Sequence, residues 1–473
     1  MGSLTLLVSM VRTDGYLLHI PVSYMLKNQL HATATEVSMF ALLTGVPIYV
    51  AVIFGLARDL WNPFGWRDRG LFLLFGPAAA VAFLWMAFSP LSYRGLLAGV
   101  VFAASSLQFV IAGQSGLISL VGQEELMSGR LSALWNVAYQ VPMSAAALAA
   151  GYLTEHVSPR GFFLLMAAIS FLLAWFAFWK PGTVFSDLYE APQARGSNLV
   201  GDIKRLVRHR AIYPALLIIG LWFFVPGTGT PLQFYLTNGL HLSDSVYADF
   251  RAILSISNIP GILLYGVLCR RFSLNKMLWW GTAIATPGLI PLVFIHTASL
   301  ALLAATMSLT WGFAWAAYID LSIRSCPPGL QGTMMMLVAG ATVLLTNAGD
   351  LVGAKIYSSS ATHGFLYCVI AATVTTALIL PAILLVPRQL IATADGEPSR
   401  AIEAELVKEL GMAGHSQVNT GRKQVLERAA VLSSEPPLNV ASGKVAGTSS
   451  APGAFTEMPD ITGSSHSRLR AHD

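Results

Sequence analysis

The chain has 473 residues, of which 55% are hydrophobic and only 11% are charged, and its mean hydropathy is +0.61. Soluble domains usually carry about 25% charged residues, so this composition excludes an ordinary soluble domain and indicates a membrane protein. The formal net charge of +5 fits an excess of lysine and arginine on the cytoplasmic side of a membrane and gives no reason to expect nucleic-acid binding. The three cysteines have no metal-ligand spacing, so we expect neither a metal nor a cofactor.

Hydropathy predicts an all-α membrane protein with about twelve transmembrane helices in two pseudo-symmetric six-helix halves. The predicted spans lie near residues 2–26, 36–58, 70–90, 95–118, 131–151, 160–180, 212–237, 245–268, 275–295, 298–320, 331–355 and 361–386. The predicted domains are an N-terminal half (1–180), a basic cytoplasmic linker (181–210), a C-terminal half (211–388) and a disordered cytoplasmic tail (389–473).

Lysine and arginine set the expected orientation. One set of loops carries only Lys27, Arg94 and Arg160, and the other set carries most of the positive charge. The positive-inside rule places the richer set in the cytoplasm, together with both termini. We therefore expect a multi-pass protein of the cell (inner) membrane. The residues on the richer side are Arg58, Arg67, Arg69, Arg130, the basic linker, Arg270, Arg271, Lys276, Arg324 and Arg388.

The most informative segment runs from Gly55 to Arg69, between predicted spans two and three. Gly55 lets a neighbouring helix approach closely, Asp59 can face the positive N-terminus of a neighbouring helix, and Arg67 and Arg69 mark the cytoplasmic side. The pattern resembles the loop between the second and third helices of major facilitator superfamily transporters. The resemblance implies alternating access to a central cavity, with these four residues as a conformational latch on the start of span eleven, near Gly332.

A weaker version of this loop recurs after span eight. The segment from Gly266 to Lys276 follows that span as Gly55 to Arg69 follows span two, and it is again basic. Matching loops in matching places indicate an internal repeat.

Several segments resemble the folate–biopterin transporter branch of the superfamily. They are Ile20-Pro-Val-Ser-Tyr-Met-Leu-Lys27, Phe54-Gly-Leu-Ala-Arg-Asp59, Cys326-Pro-Pro-Gly-Leu-Gln-Gly332-Thr333 and Asn347-Ala-Gly-Asp350-Leu-Val-Gly353. The resemblance implies a pteridine or folate substrate. Arg58 departs from the pattern, which usually has serine there, and carriers of muropeptides, siderophores, sugars or drugs remain alternatives.

Charged residues inside predicted spans are the first candidates for a substrate or proton pathway, because each costs on the order of 3 kcal/mol at the centre of a membrane helix. Arg12 and Asp14 lie halfway along span one, just before Gly15, where a broken helix would suit a site facing a cavity. An ion pair that only positions the helix is the alternative.

Asp350 and Arg251 are the charged candidates in the second half. Asp350 lies on the same helix face as Asn347 and could accept a coupling proton. Alternatively, it could form a structural pair with Lys355 or with a group in span eight or span two. Arg251 could anchor a substrate carboxylate through its guanidinium fork, or it could pair with Asp249 at the membrane interface.

Uncharged polar and aromatic residues complete the predicted pathway. Amides in spans four and five could bind a heterocycle or a sugar, or they could join helices. A tryptophan stripe in span ten could stack on a planar ring or simply pack. These candidates are Gln108, Gln114, Asn136, Tyr139, Gln140, Gln233, Trp311 and Trp315.

Span seven contains the segment Pro226-Gly-Thr-Gly-Thr-Pro231, in which two prolines and two glycines weaken the helix. We interpret Pro226, Gly227, Gly229 and Pro231 as a gate, with a static kink as the alternative.

Together these features predict a secondary transporter for a small organic solute, acting as a monomer in the lipid bilayer. A non-transporting membrane scaffold of the same architecture is the alternative from another class, although it would not need Arg12, Asp14 and Asp350 together. An enzyme is not expected, since the sequence has no zinc motif and no nucleophile elbow.

Overall fold

A computed structural model of the chain describes residues 1–13, 15–176, 178, 199–242, 244–360 and 362–397. All regular elements in these ranges are helices, and the described residues belong to one compact unit. Asp14, most of the predicted linker and the predicted tail from residue 398 onward lie outside the described residues.

The helices before the predicted linker begin almost at the first residue. In chain order they are α1 (Gly2–Val11), α2 (Tyr16–Tyr24), α3 (Ala34–Thr44), α4 (Val46–Tyr49), α5 (Ala51–Leu60), α6 (Asp68–Phe88), α7 (Tyr93–Glu124), α8 (Ser128–His156) and α9 (Pro159–Trp175). A π-helical turn, Met25–Gln29, continues α2, and a 3₁₀ turn, Pro63–Gly65, precedes α6.

The remaining helices follow the linker. They are α10 (Leu199–Arg208), α11 (Ile212–Phe223), α12 (Thr230–Phe234), α13 (Asp244–Leu268), α14 (Leu274–Ala285), α15 (Ala298–Thr306), α16 (Ser308–Arg324), α17 (Gln331–Ser358), α18 (Gly364–Ala377), α19 (Ile379–Ile383) and α20 (Arg388–Ile391). A π-helical turn, Tyr235–Gly239, continues α12, and the 3₁₀ segment Thr286–Phe294, which contains two prolines, continues α14.

Seven helical stretches within the described residues are long and apolar enough to cross a membrane, and a pair bent by 73° could supply an eighth. The count of about twelve therefore stays a prediction, since several of the other predicted spans are built from shorter helices. The seven stretches are Asp68–Phe88, Tyr93–Glu124, Asp249–Leu268, Leu274–Phe294, Ala298–Arg324, Gln331–Ser358 and Gly364–Ile383, and the bent pair is Gly201–Arg208 with Ile212–Phe223.

Three of the predicted spans, 2–26, 36–58 and 212–237, are interrupted helices. The breaks expected in spans one and seven are present, and the division of span two was not predicted. The first span breaks between α1 and α2, where Arg12 and Gly15 have extended backbone. The second span is divided into three helices at Gly45 and Val50. Hydropathy averages over such breaks, because a kink changes the backbone path without making the segment less apolar.

The breaks in spans one and seven are each followed by a copy of the same short sequence pattern. The pattern Pro-x4-Leu-x-Asn-x-Leu-His occurs at Pro21–His31 and again at Pro231–His241. In both copies a π-helical turn lies within the pattern, at Met25–Gln29 and at Tyr235–Gly239. The final histidine has a positive φ in both, 52° at His31 and 55° at His241. Equal backbone geometry at equal sequence positions indicates an internal duplication.

Helices from the two predicted halves pack against each other in two main pairs, α5 with α17 and α8 with α13. The predicted start of a disordered tail at residue 389 is too early, because α20 and the residues up to Glu397 contact the bundle. We name residues 388–397 the C-terminal strap.

The tightest crossing in the second half joins α13 to α16. A Cβ atom on Gly261 would collide with the carbonyl oxygen of Leu309, and one on Gly312 would collide with the carbonyl oxygen of Asn258. Small residues let two membrane helices come this close.

We expect Gly261→Ala to lower the melting temperature of the detergent-solubilised protein, because overpacking costs about 1–3 kcal/mol. Gly220→Ala is the matched control, since its added Cβ would meet only the flexible end of Leu345, at 3.3 Å. Equal melting temperatures for the two variants would contradict the tight crossing.

Candidate functional site

Asp59 lies at the end of α5 and binds the N-terminus of α17. Its carboxylate accepts hydrogen bonds from the backbone N–H of Gly332 (3.2 Å), the N–H of Thr333 (2.7 Å) and the hydroxyl of Thr333 (2.6 Å). The first amides of a helix have no partner within the helix and carry partial positive charge. The predicted contact between Asp59 and the start of span eleven is therefore present, and its role as a latch stays a prediction.

Gly55 lies one turn before Asp59, where α5 and α17 cross. A Cβ atom on Gly55 would lie 2.7 Å from the Gly332 carbonyl oxygen and 2.7 Å from the Thr333 Cα, so no larger residue fits. The expected close approach of a neighbouring helix at Gly55 is thus observed, and it brings Asp59 within reach of the helix end.

Arg58 links Asp59 to a second carboxylate. Its Nε and Nη2 atoms donate to the two oxygens of Asp68, at 2.6 and 2.7 Å, and its Nη1 donates to Asp59 at 2.7 Å. Both aspartate side chains are almost fully buried, at 1% and 2% exposure. The Arg58 guanidinium and the α17 N-terminus together compensate the two buried negative charges. We name Arg58, Asp59 and Asp68 the Asp59 cluster.

Arg67 and Arg69 lie next to this cluster along the chain but have different recorded contacts. The backbone N–H of Arg67 donates to the Asn62 side chain at 2.6 Å, and the Arg69 guanidinium lies over the Trp66 ring, 5.3 Å from its centroid. The direct partners of Asp59 are therefore Arg58 and the start of α17. Sequence reasoning used Arg58 only as a marker of orientation and did not consider Asp68.

A second buried charge cluster lies beside the first. The Tyr265 hydroxyl donates to Asp320 at 2.6 Å, and Arg324 donates to Asp320 at 2.9 Å and to the Ser128 hydroxyl at 3.1 Å. These bonds join α13 and α16 to the start of α8. The Gln123 side chain of α7 donates to the carbonyl oxygens of Ile323 and Cys326, at 2.9 and 2.8 Å, and accepts from the Gln331 side chain at the start of α17, at 3.2 Å.

The C-terminal strap supplies a third carboxylate to this end of the bundle. Asp395 accepts hydrogen bonds from the Gly129 N–H (2.9 Å) and from Arg130 Nε (2.7 Å). Burial raises the pKa of the Asp395 carboxyl, as does nearby Asp320, while the bonds from Gly129 and Arg130 oppose the shift. Sequence reasoning missed this residue because it lies in a polar segment with no apolar periodicity.

The predicted pathway residues of span one lie at its break. The Arg12 guanidinium lies 5.3 Å from the centre of the Tyr139 ring, which in turn stacks on Trp135 at 5.9 Å. Arg12 and Tyr139 are thus brought together from α1 and α8. Asp14, the proposed partner of Arg12, lies outside the described residues.

The predicted amides occupy different environments. Gln108 and Asn136 are buried, and Asn136 donates to the carbonyl oxygen of Ser132, one turn earlier in α8, at 2.9 Å. Gln114 donates to the Thr5 hydroxyl at 2.8 Å and so joins α7 to α1. Gln140 is half-buried, and Gln233 is exposed in α12.

Asp350 binds the start of α12 within the second half. Its carboxylate accepts from the Thr230 N–H at 2.7 Å and from the Thr230 hydroxyl at 2.6 Å. Asn347 and Lys355 are both exposed along α17. The two bonds from Thr230 make Asp350 a cap of α12, an arrangement that the sequence analysis did not consider. Its role as a proton acceptor stays a prediction.

The predicted gate segment is non-helical between α11 and α12. Gly227 has φ 105°, a left-handed conformation that glycine adopts without strain. A Cβ atom on Gly229 would collide with Asp350, and one on Gly353 would lie 2.6 Å from the Gly227 nitrogen. The break predicted at Pro226–Pro231 is therefore present and packs closely against α17, while its motion as a gate stays a prediction.

Arg251 lines a cavity of about 70 Å³ beside this break. Thr228 of the gate segment, Ser308 and Trp311 line the same cavity. Trp315, four residues after Trp311, instead contacts the Phe223 ring edge-on at 4.8 Å. The tryptophan stripe is thus divided between a cavity wall and helix packing.

Comparison with known proteins gives the family. The Major Facilitator Superfamily model matches residues 4–349. A folate-biopterin transporter of Synechocystis sp. is 25% identical over 351 residues, which is 70% of this chain and 70% of that protein. Folate transporter 2 of Plasmodium falciparum is 22% identical, over 72% of this chain and 76% of that protein.

Solved structures show the same fold at low identity. The proton:xylose symporter XylE has a TM-score of 0.59 and 10% identity, over 81% of this chain and 94% of that chain. A bacterial homologue of the iron transporter ferroportin, in its outward-facing state, has a TM-score of 0.57 and 16% identity, over 81% and 98%. Since the family model matches well over half of its length, the chain belongs to the Major Facilitator Superfamily of multi-pass membrane transporters.

Proposed function

We propose that this transporter carries a folate- or pteridine-like organic solute, as a monomer with both termini in the cytoplasm, and that it has no enzymatic activity. The proposed mechanism rests on one observation. The buried Asp59 carboxylate accepts hydrogen bonds from Gly332 and Thr333 and so joins the two predicted halves at one end. A contact that closes one end and can be broken by water is what alternating access requires. The similarity to a folate-biopterin transporter and to a folate transporter favours the substrate class.

The end that carries Asp59 is assigned to the cytoplasm in this proposal. Most of the arginines and lysines of the loops lie on that side, which the positive-inside rule favours. In the described conformation this end is held together by the Asp59 cluster. A carrier closed toward the cytoplasm is poised to take up its solute from the opposite side.

The cavity beside Arg251 suits one part of such a substrate. A guanidinium can bind a carboxylate through two parallel hydrogen bonds, and an indole can stack on a planar ring. Arg251 and Trp311 supply these two groups, and Thr228 connects the cavity to the gate segment. We infer that the cavity is the entry part of a site that continues toward Arg12 and Tyr139 when the gate moves.

Asp350 links proton binding to the gate in this scheme. Its two oxygens hold the first residue of α12 through Thr230. Protonation removes the negative charge that favours the helix N-terminus and weakens both bonds. Arrival of a proton would thus free α12, and Asp14 is the second candidate for this coupling.

The substrate assignment is tested in proteoliposomes with labelled folate and labelled biopterin, which has the ring without the glutamate carboxylates. We expect Arg251→Gln to raise the KM for folate about tenfold or more, because hydrogen bonds to a charged group contribute about 1.5–3 kcal/mol, and to leave biopterin uptake unchanged. Arg270→Gln, at an exposed arginine after α13, is the control.

Equal loss of both substrates in Arg251→Gln would contradict the carboxylate anchor. If neither compound is taken up while a sugar, siderophore, muropeptide or drug is, the substrate class proposed here is wrong although the carrier function stands.

Asp59→Asn is expected to reduce uptake about tenfold with unchanged abundance in the membrane. Asparagine keeps the shape but loses the charge that binds the α17 N-terminus, an interaction of up to about 2 kcal/mol when partly buried. Asp249→Asn, at an exposed carboxylate of α13, is the matched control. Wild-type uptake by a stably expressed Asp59→Asn protein would refute the latch.

Asp350→Asn should uncouple transport from the proton gradient. We expect counterflow of unlabelled and labelled substrate to persist, while accumulation driven by an inward proton gradient is lost, because asparagine cannot exchange a proton. Thr230→Val removes the hydroxyl bond alone and serves as the comparison. Gradient-driven accumulation at the wild-type level in Asp350→Asn would assign coupling to another group.

A further inference from the structure

The C-terminal strap is bonded to connections on both sides of the bundle. The Asp395 N–H donates to the carbonyl oxygen of Cys269 at the end of α13 (3.0 Å), and the Leu274 N–H at the start of α14 donates to Thr393 (3.3 Å). The Gly396 N–H donates to Leu126, between α7 and α8, at 2.7 Å. The strap therefore crosses from the second predicted half to the first.

Asp395 holds the start of α8 as Asp59 holds the start of α17. Gly129, whose N–H it binds at 2.9 Å, is the second residue of α8, and Arg130 is the third. The Asp395 side chain is fully buried, at 0% exposure. The two aspartates thus occupy equivalent places, each at the N-terminus of a long helix from the other predicted half.

The loop that repeats Gly55–Arg69 in the second half cannot supply this carboxylate. Where the first loop has Arg58 and Asp59 after its glycine, the second has Cys269 and Arg270. An arginine in the place of Asp59 would repel the positive end of α8. The carboxylate that the repeat lacks comes instead from the strap.

Arg324 holds the strap itself. Its Nη1 donates to the carbonyl oxygens of Thr393 at 3.0 Å and Leu390 at 3.4 Å, while its Nε binds Asp320 and Ser128. One buried guanidinium therefore ties the strap to α16 and to the first residue of α8. The strap is thereby attached to the second buried cluster, through Asp320 and Arg324.

We propose that the C-terminal strap is a second latch, in which Asp395 is a positioning residue that keeps α8 against α13 while this end of the transporter is closed. The strap must leave Gly129 and Arg130 for the end to open. Residues after the last transmembrane helix thereby take part in the conformational cycle. The inference rests on the proposed alternating access but not on the identity of the substrate.

The native cysteines provide a test that needs no substrate. Cys269 is 2% exposed beneath the strap, Cys326 is 4% exposed near the Asp59 cluster, and Cys368 is fully buried against the gate segment. Alkylation of full-length protein in liposomes by a membrane-permeant maleimide, followed peptide by peptide in a mass spectrometer, reports the three places separately.

We expect Asp395→Asn to raise the labelling rate of Cys269 about tenfold, because a helix-end charge and a charge-assisted bond are lost together, while Cys368 labels at the wild-type rate. Glu397→Gln is the matched control: its carboxylate accepts from the Ala394 N–H within the strap (3.0 Å). Arg130→Gln removes the same ion pair from the other side and should reproduce the effect.

Three results would overturn the second latch. The first is wild-type labelling of Cys269 in both Asp395→Asn and Arg130→Gln. The second is equal acceleration at all three cysteines, which would make the strap a general stability element. The third is the same Cys269 increase in Glu397→Gln. A failure to transport folate would leave the labelling pattern unaffected, so the two proposals fail separately.

Discussion

The structure depends on a buried carboxylate at the N-terminus of a membrane helix. The first amides of α17 have no partner within their helix, and an unsatisfied polar group costs several kcal/mol away from water. Asp59 satisfies two of these amides, and Gly55 permits the approach that makes the bonds short. Since Asp59 and α17 belong to different predicted halves, these bonds decide, in the proposed mechanism, how firmly one end of the transporter is closed. Water can replace each of these bonds, which makes the contact reversible.

The same device occurs three times in the part of the chain that the structure describes. Asp59 caps α17, Asp350 caps α12, and Asp395 caps α8, in each case by accepting a backbone N–H bond of 2.7 to 2.9 Å. In the proposed mechanism the caps lie at the positions that open and close: the two crossings between the predicted halves and the segment interpreted as a gate. A helix cap suits this task because it is strong when dry, is weakened by water or by protonation, and requires no large repacking of side chains.

Composition and one local motif carried most of what the sequence could predict. The low charge content indicates membrane helices. Gly55 and Asp59 predict a helix-end contact, because a glycine permits close approach of a neighbouring helix and a carboxylate favours the positive N-terminus of that helix. The division of span two could not be read from averaged hydropathy, whereas the break in span one was expected from the charges and the glycine at its centre. The partners of Arg58 depend on the path of the loop that follows, where Phe64 and Arg67 have positive φ. Asp395 could not be predicted because its bonding partners are distant in the sequence. The repeated Pro-x4-Leu-x-Asn-x-Leu-His pattern is visible in the sequence, but the interpretation was based on the charged loops instead.

The most direct test is to measure the distance between the two predicted halves at the Asp59 end by pulsed electron–electron double resonance. Spin labels on cysteines replacing Phe64 and Arg270, which are both exposed, would report it in liposomes. The account predicts one short population when Asp59 is present and an added longer population in the Asp59→Asn background. Identical distance distributions in the two backgrounds would contradict it.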